Sequence, residues 1–129
     1  MTEGDVILRV MQGEGYGAVY NLSKLMQNEC GIITLGRQDI GVVNHIQIME
    51  TQSCYVSRYH ATIERHGKEK WCIRDGQWIK GYSAGGLSAW MESTNGTFVN
   101  STKVSQSGCD LHVNDIISVG DVKLKVEII

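Results

Sequence analysis

Three short polar segments of this 129-residue chain carry groups suited to gripping an anion. Gly36-Arg37 follows the apolar run 32–35, so the guanidinium emerges at a strand end into a loop, where its planar fork can take two oxygens of a phosphate at once. Taken singly, such a dipeptide marks no more than an arginine solvating a loop. Ser57-Arg58-Tyr59-His60 stands directly before Ala61-Thr62-Ile63-Glu64 and adds a hydroxyl and a second guanidinium at a loop–strand junction. Alone it reads as a serine turn with an exposed arginine. The third segment, Ser93-Thr94-Asn95-Gly96-Thr97-Phe98-Val99-Asn100, is a polar turn about Asn-Gly that leads into a short apolar strand. Glycine admits positive φ there, and the Asn95 amide can both donate to and accept from an extended peptide backbone. In this order, with strands between them, the three segments are much harder to explain by chance than any one of them.

The elements that must position these groups read as short β-branched runs separated by Gly, Asn, Asp and Ser clusters, the pattern of an all-β sandwich or barrel. Strands are expected at 5–11, 18–22, 31–35, 45–48, 60–65, 71–74, 96–99, near Lys103, at 115–119 and at 122–129. In the last, Val122, Leu124, Val126 and Ile128 alternate with Asp121, Lys123, Lys125 and Glu127, which buries one face and solvates the other. Gly120-Asp121 and His66-Gly67-Lys68 supply hairpin turns. Residues 22–28 read as a loop with one helical turn, with Ser23 as its N-cap. The segment 76–92 is long, glycine-rich and interleaved with Trp78, Tyr82 and Trp90, so it is expected to be functional or partly structured.

Composition bounds the partners. A chain with 42% hydrophobic and 20% charged residues is too apolar for disorder and has the size of one domain, 1–129. A net charge of −2 gives no overall positive field for nucleic acid or anionic membranes, so an anion site must be local. No run reaches the ~18 apolar residues of a membrane span, and the start lacks the positive charge and length of a secretory signal. The four cysteines are scattered without a Cys-x-x-Cys pair, which suits free thiols in a cytoplasmic protein.

On Gly36-Arg37, Ser57-x-x-His60 and Asn95-Gly96 the chain resembles the forkhead-associated (FHA) family, whose hallmark is that order of motifs in a two-sheet β-sandwich of about eleven mainly antiparallel strands. The resemblance extends over nearly the whole chain, through the closing pattern of Leu111, Asn114-Asp115, Ile116 and Gly120, with Ser101 and Asn114 standing where glycine is common. It implies a non-catalytic module that recognises a threonine-phosphorylated protein or peptide and needs no cofactor. It further implies that Arg37 and Ser57 bond the phosphate, that Arg58 and Thr94 support them, and that Asn95 holds the peptide main chain. Gly36, His60 and Gly96 are then architectural, His60 bracing the loop that bears Ser57. Both the stretch between Arg37 and Ser57 and the segment 76–92 are longer than the family pattern, and the aromatic residues of the latter read either as packing over a sheet edge or as a wall for the peptide.

Other chemistries fit the residues poorly. A Ser57–His60–Asp75 triad lacks a Gly-x-Ser-x-Gly elbow, and its serine and histidine stand three apart in one loop. His60, His66 and Cys54 lack zinc-ligand spacing. Arg58, Arg65, His66, Lys68 and Lys70 read as a solvated hairpin rather than a nucleic-acid surface. The competing reading is an FHA-like scaffold that binds through a sheet face without regard to phosphate; the presence of Arg37, Ser57 and Asn95 together argues against it.

Overall fold

A computed structural model describes residues 4–80 and 88–129. Its elements in chain order are β1 (Val6–Gln12), β2 (Val19–Asn21), α1 (Leu22–Leu25), β3 (Ile32–Arg37), β4 (Ile46–Ile48), β5 (Ala61–His66), β6 (Lys70–Asp75) and β7 (Gln77–Ile79). They continue with β8 (Ala89–Met91), β9 (Thr97–Val99), β10 (Thr102–Lys103), β11 (Cys109–Leu111), β12 (Ile116–Val119) and β13 (Val122–Ile128). One sheet runs β10-β9-β12-β13-β1-β2 and the other β11-β6-β5-β3-β4. Together they form the all-β sandwich anticipated from the sequence, and the β7–β8 hairpin is an addition to it.

Alternation drives the layering. Along β13, Val122, Leu124 and Val126 are buried while Lys123 is exposed; only Ile128, at the strand's last position, escapes the core face. Leu8, Ile33, Leu35, Ile63, Trp71, Ile73, Ile117 and Leu124 are fully enclosed in the core between the sheets. Each such side chain contributes about 1.5–3 kcal/mol of transfer free energy. Among the described residues all strand pairs are antiparallel except β3–β4, where Leu35, Gly36 and Arg37 face Ile46, Gln47 and Ile48 in parallel. Parallel neighbours cannot be joined by a tight turn, so residues 38–45 swing out as a long loop between β3 and β4.

The helical turn is present but capped differently from expectation. Asn21, not Ser23, accepts the Lys24 N–H at 2.9 Å, because the turn starts two residues earlier than a Ser23 cap would set it; the Ser23 hydroxyl accepts the Val6 N–H at 2.9 Å and ties α1 to β1. Ser101 and Asn114, the two positions where glycine was looked for, have φ of 71° and 76°. The left-handed backbone is therefore kept at both positions without the residue that adopts it most cheaply.

Candidate functional site

Arg37 is the last residue of β3 rather than a loop residue. Its N–H donates to the Ser57 carbonyl at 3.0 Å, and its side chain is only 19% exposed, so the guanidinium is held in place rather than free in solvent. Gly36 explains how the Ser57-Arg58 loop comes so close. A Cβ at this position would lie 2.0 Å from the Arg58 carbonyl oxygen and 2.8 Å from Asn44 Nδ2, so the loop rests directly on the glycine backbone.

His60 joins the two loops that carry the other candidate groups. Its Nδ1 accepts the Ser57 N–H at 2.9 Å, so the ring proton sits on Nε2, which donates to the Gly96 carbonyl at 2.9 Å. The imidazole is fully buried, and burial pushes its pKa below the ordinary value, against weaker upward pulls from the Gly96 carbonyl, Asp75 and Glu50. His60 thus meets the backbone of Ser57, while the serine hydroxyl accepts the Thr94 N–H at 2.9 Å and keeps its own proton available to an external acceptor. Gly96 has φ of 88°, and its N–H donates to Ser93 Oγ at 2.9 Å, closing the Asn-Gly turn.

A buried polar layer beneath these loops was not anticipated. The Asp75 carboxylate accepts from Ser93 Oγ at 2.6 Å, from the Ser93 N–H at 3.2 Å and from Thr97 Oγ1 at 2.8 Å, and so holds the turn that presents Thr94 and Asn95. Gln77 Nε2 donates to Leu35 O, Asn44 Oδ1 and Ala61 O at 2.8–3.1 Å, and Asn44 Nδ2 in turn donates to Arg58 O at 2.8 Å. For Asp75 a signal existed: the period of two set by Trp71 and Ile73 puts it on the buried face, where an acid requires partners. For Gln77 and Asn44 there was none, since each sits in a segment too short and polar to show periodicity.

Arg37, Ser57, Arg58 and Thr94 line one open pocket of about 420 Å³, whose apolar lining includes Val56, Ile79 and Met91. Asn95 lies outside it, in a smaller depression with Tyr55 and Phe98, and its amide donates to the Tyr55 carbonyl at 2.9 Å. Ile79 and Met91 come from the β7–β8 hairpin. Strand alternation puts them on the face opposite the paired Trp78 and Trp90. Trp90 donates its indole N–H to Asp75 O at 3.0 Å and lies under the Arg74 guanidinium at 4.0 Å, with Trp78 edge-on at 5.6 Å and 60% exposed. The tryptophans therefore pack over β6, and the hairpin's aliphatic face meets the pocket. Tyr82 and the tip 82–87 lie outside the described residues.

The basic residues Arg65, His66, Lys68 and Lys70 sit at the far end of β5 from Ser57, about 17 Å along the strand. Lys70 pairs with Asp110 at 3.5 Å and Arg65 bonds Lys68 O, so this hairpin is separate from Arg58 and partly neutralised.

No curated protein matches the chain by sequence. A family model, that of the FHA domain, matches residues 33–120. Among solved structures, an FHA domain studied for its phosphothreonine-dependent interactions is similar with a TM-score of 0.64 at 24% identity, over 97% of each chain. The FHA domain of an Arabidopsis thaliana hypothetical protein gives 0.67 at 23%, covering 100% of this chain and 89% of that one. Mycobacterium tuberculosis EmbR, in complex with a low-affinity phosphopeptide, gives 0.64 at 22%, covering 98% of this chain and 25% of EmbR. At these identities the structural likeness is one of fold.

Proposed function

The chain belongs to the FHA domain family, and from that premise we propose that residues 1–129 act as one module that recognises phosphothreonine in a partner protein or peptide. The observation that carries this reading is the convergence of two guanidinium groups, a hydroxyl with its proton to spare, and Thr94 on a single pocket. Phosphate at pH 7 carries about −1.5 to −2 charges and three acceptor oxygens, which two arginines and a serine can meet together. In this scheme Arg37 is the principal phosphate contact and Ser57 the neutral donor, while Arg58 and Thr94 assist and Asn95 takes the peptide main chain. Gly36, His60 and Gly96 keep the loops at their spacing. The module binds and performs no catalysis, and nucleic acid and membrane are not its partners. A signalling role in the cytoplasm agrees with four free cysteines.

The flank of the bound peptide meets a wall made by Ile79 and Met91, so partners with an apolar residue close to the phosphothreonine are favoured.

Paired phosphorylated and unphosphorylated threonine peptides, titrated calorimetrically, test the reading. Only the phosphorylated peptide should bind, and more weakly as salt is added. Arg37→Ala should cost about 2–5 kcal/mol of binding, enough to move a micromolar complex to about millimolar or beyond, with an unchanged circular dichroism spectrum. Equal binding of the two peptides would replace this reading with that of a phosphate-independent scaffold.

A further inference from the structure

A carboxylate stands between the two arginines. Asp39 Oδ2 is 3.8 Å from Arg37 Nη2 and 4.0 Å from Arg58 Nε. Its Oδ1 accepts the Ile40 N–H at 2.8 Å, and its carbonyl accepts the Val42 N–H at 3.2 Å, so the loop itself fixes the acid at this place. Both ion-pair distances exceed the 2.7–2.9 Å range of a charge-assisted hydrogen bond, which makes these contacts attractive but not locked. Arg37 and Asp39 are only two residues apart, so the long loop after β3 delivers the cation and its counter-charge together.

We propose that Asp39 is an affinity-setting residue of this pocket, a built-in competitor that neutralises the guanidinium pair in the free protein and must yield when phosphate arrives. The inference rests on the phosphothreonine reading of the same site. Two like charges held close repel each other, and a carboxylate between them stabilises the empty pocket against any incoming anion. A partner's own aspartate or glutamate would exchange one carboxylate for another and gain nothing from the arginines. A phosphate dianion brings a second charge and further acceptor oxygens, and it replaces Asp39 at a profit. The acid therefore lowers affinity for every anion and leaves a useful margin only for the doubly charged one.

Asp39→Asn is the test, because the amide oxygen can still accept the Ile40 N–H and hold the loop. With a phosphothreonine peptide as probe, affinity should rise about three- to tenfold, the sum expected of two long, partly exposed ion pairs no longer to be displaced. The dependence of log K on log salt should steepen, since the pocket gains one net positive charge. Asp39→Glu should remain close to wild type. Glu92→Gln provides the control: Glu92 lines the same pocket without ion-pairing either arginine, and its loss should change affinity less. Unchanged or weaker binding by Asp39→Asn, or an equal gain for Glu92→Gln, overturns the role of Asp39 while leaving phosphate recognition in place. A wild-type protein that does not distinguish phosphorylated from unphosphorylated peptide overturns both.

Discussion

At the rim of the candidate site, Arg58, Thr94 and Asn95 are exposed, and their side chains make few and loose contacts with the rest of the chain. In the layer directly beneath, His60, Asp75, Gln77, Asn44 and Thr97 are buried, and their hydrogen bonds run to backbone, to one another or to the Ser93 hydroxyl. The two regions use the same kinds of side chain for opposite ends. Below, each bond fixes a loop, and loops fixed in this way keep the rim open, where Arg58 is only loosely paired with Asp39 at 4.0 Å and the Asn95 amide is tied by one bond to the Tyr55 carbonyl. On the proposed reading, the site depends as much on polar groups that never meet the ligand as on those that do.

The heaviest blow to this contrast should come from Asp75→Ala. The substitution strands the hydroxyls of Ser93 and Thr97 and the Ser93 N–H inside the fold, at a cost of about 3 kcal/mol or more, since hydrogen bonds to a charged group are worth about 1.5–3 each. Urea denaturation reads the loss, and binding of phosphothreonine peptide should weaken with it, because the turn bearing Thr94 and Asn95 loses its anchor. Arg37→Ala should do the reverse and abolish binding for less than about 1 kcal/mol of stability. If Asp75→Ala leaves both stability and affinity intact, the buried layer does not hold the rim.

His60 separates the two regions by pH. Its folded pKa lies below the unfolded value of about 6.5, so the unfolded chain binds the extra proton first as pH falls. The stability that His60 contributes is complete above about pH 6.5 and is lost as pH drops from there toward the folded pKa. His60→Ala should cost about 1–3 kcal/mol at pH 7.5 and flatten the slope of stability between pH 7.5 and 5.5. Affinity for phosphothreonine falls in the same window for a different reason, the second pKa of the phosphate near about 6. Denaturation without ligand isolates the histidine. An unaltered slope in the mutant would assign the pH dependence to another group.

Much of the rim was legible beforehand because its residues lie in short motifs with strong local meaning, Gly36-Arg37, Ser57-x-x-His60 and Asn95-Gly96. The sandwich was legible for a similar reason, since alternation as regular as that of β13 fits no helix. What escaped was decided by tertiary context. The strands β7 and β8 are three residues each, and β7 opens on Gln77, a polar residue whose burial makes sense only once Asn44 and Leu35 are beside it. Likewise β11, Cys109-Asp110-Leu111, is a short edge strand recognisable only by its pairing with β6. The extension of β3 to Arg37 depends on a parallel partner contributed from beyond a long loop. Trp78 and Trp90 drew attention by their size, yet among the described residues of 76–92 it is Ile79 and Met91 that supply the apolar lining of the pocket.

That last difference yields the smallest effect and the finest division of the rim, between a charged part proposed to read phosphate and an apolar part proposed to read its surroundings. Ile79 and Met91 lie on one face of the hairpin and on the pocket, whereas Trp78 lies on the other face. An apolar partner side chain laid against them would bury on the order of 40 Å² or more, which at about 25 cal/mol per Å² amounts to roughly 1 kcal/mol, a factor of about five in affinity. Ile79→Ser with Met91→Ser should therefore weaken a phosphothreonine peptide that carries leucine or isoleucine beside the phosphate by about that factor. The same peptide with serine in the flank should bind both proteins alike. Phosphate dependence should persist in the double mutant, because Arg37, Ser57 and Thr94 stand on other elements. Trp78→Ala, on the opposite face, should leave the flank preference as it was. A library profile that Trp78→Ala changes and the aliphatic substitutions do not would return the preference to the aromatic face. Equal weakening of both peptides by the double mutant would mean that the hairpin merely supports the loops.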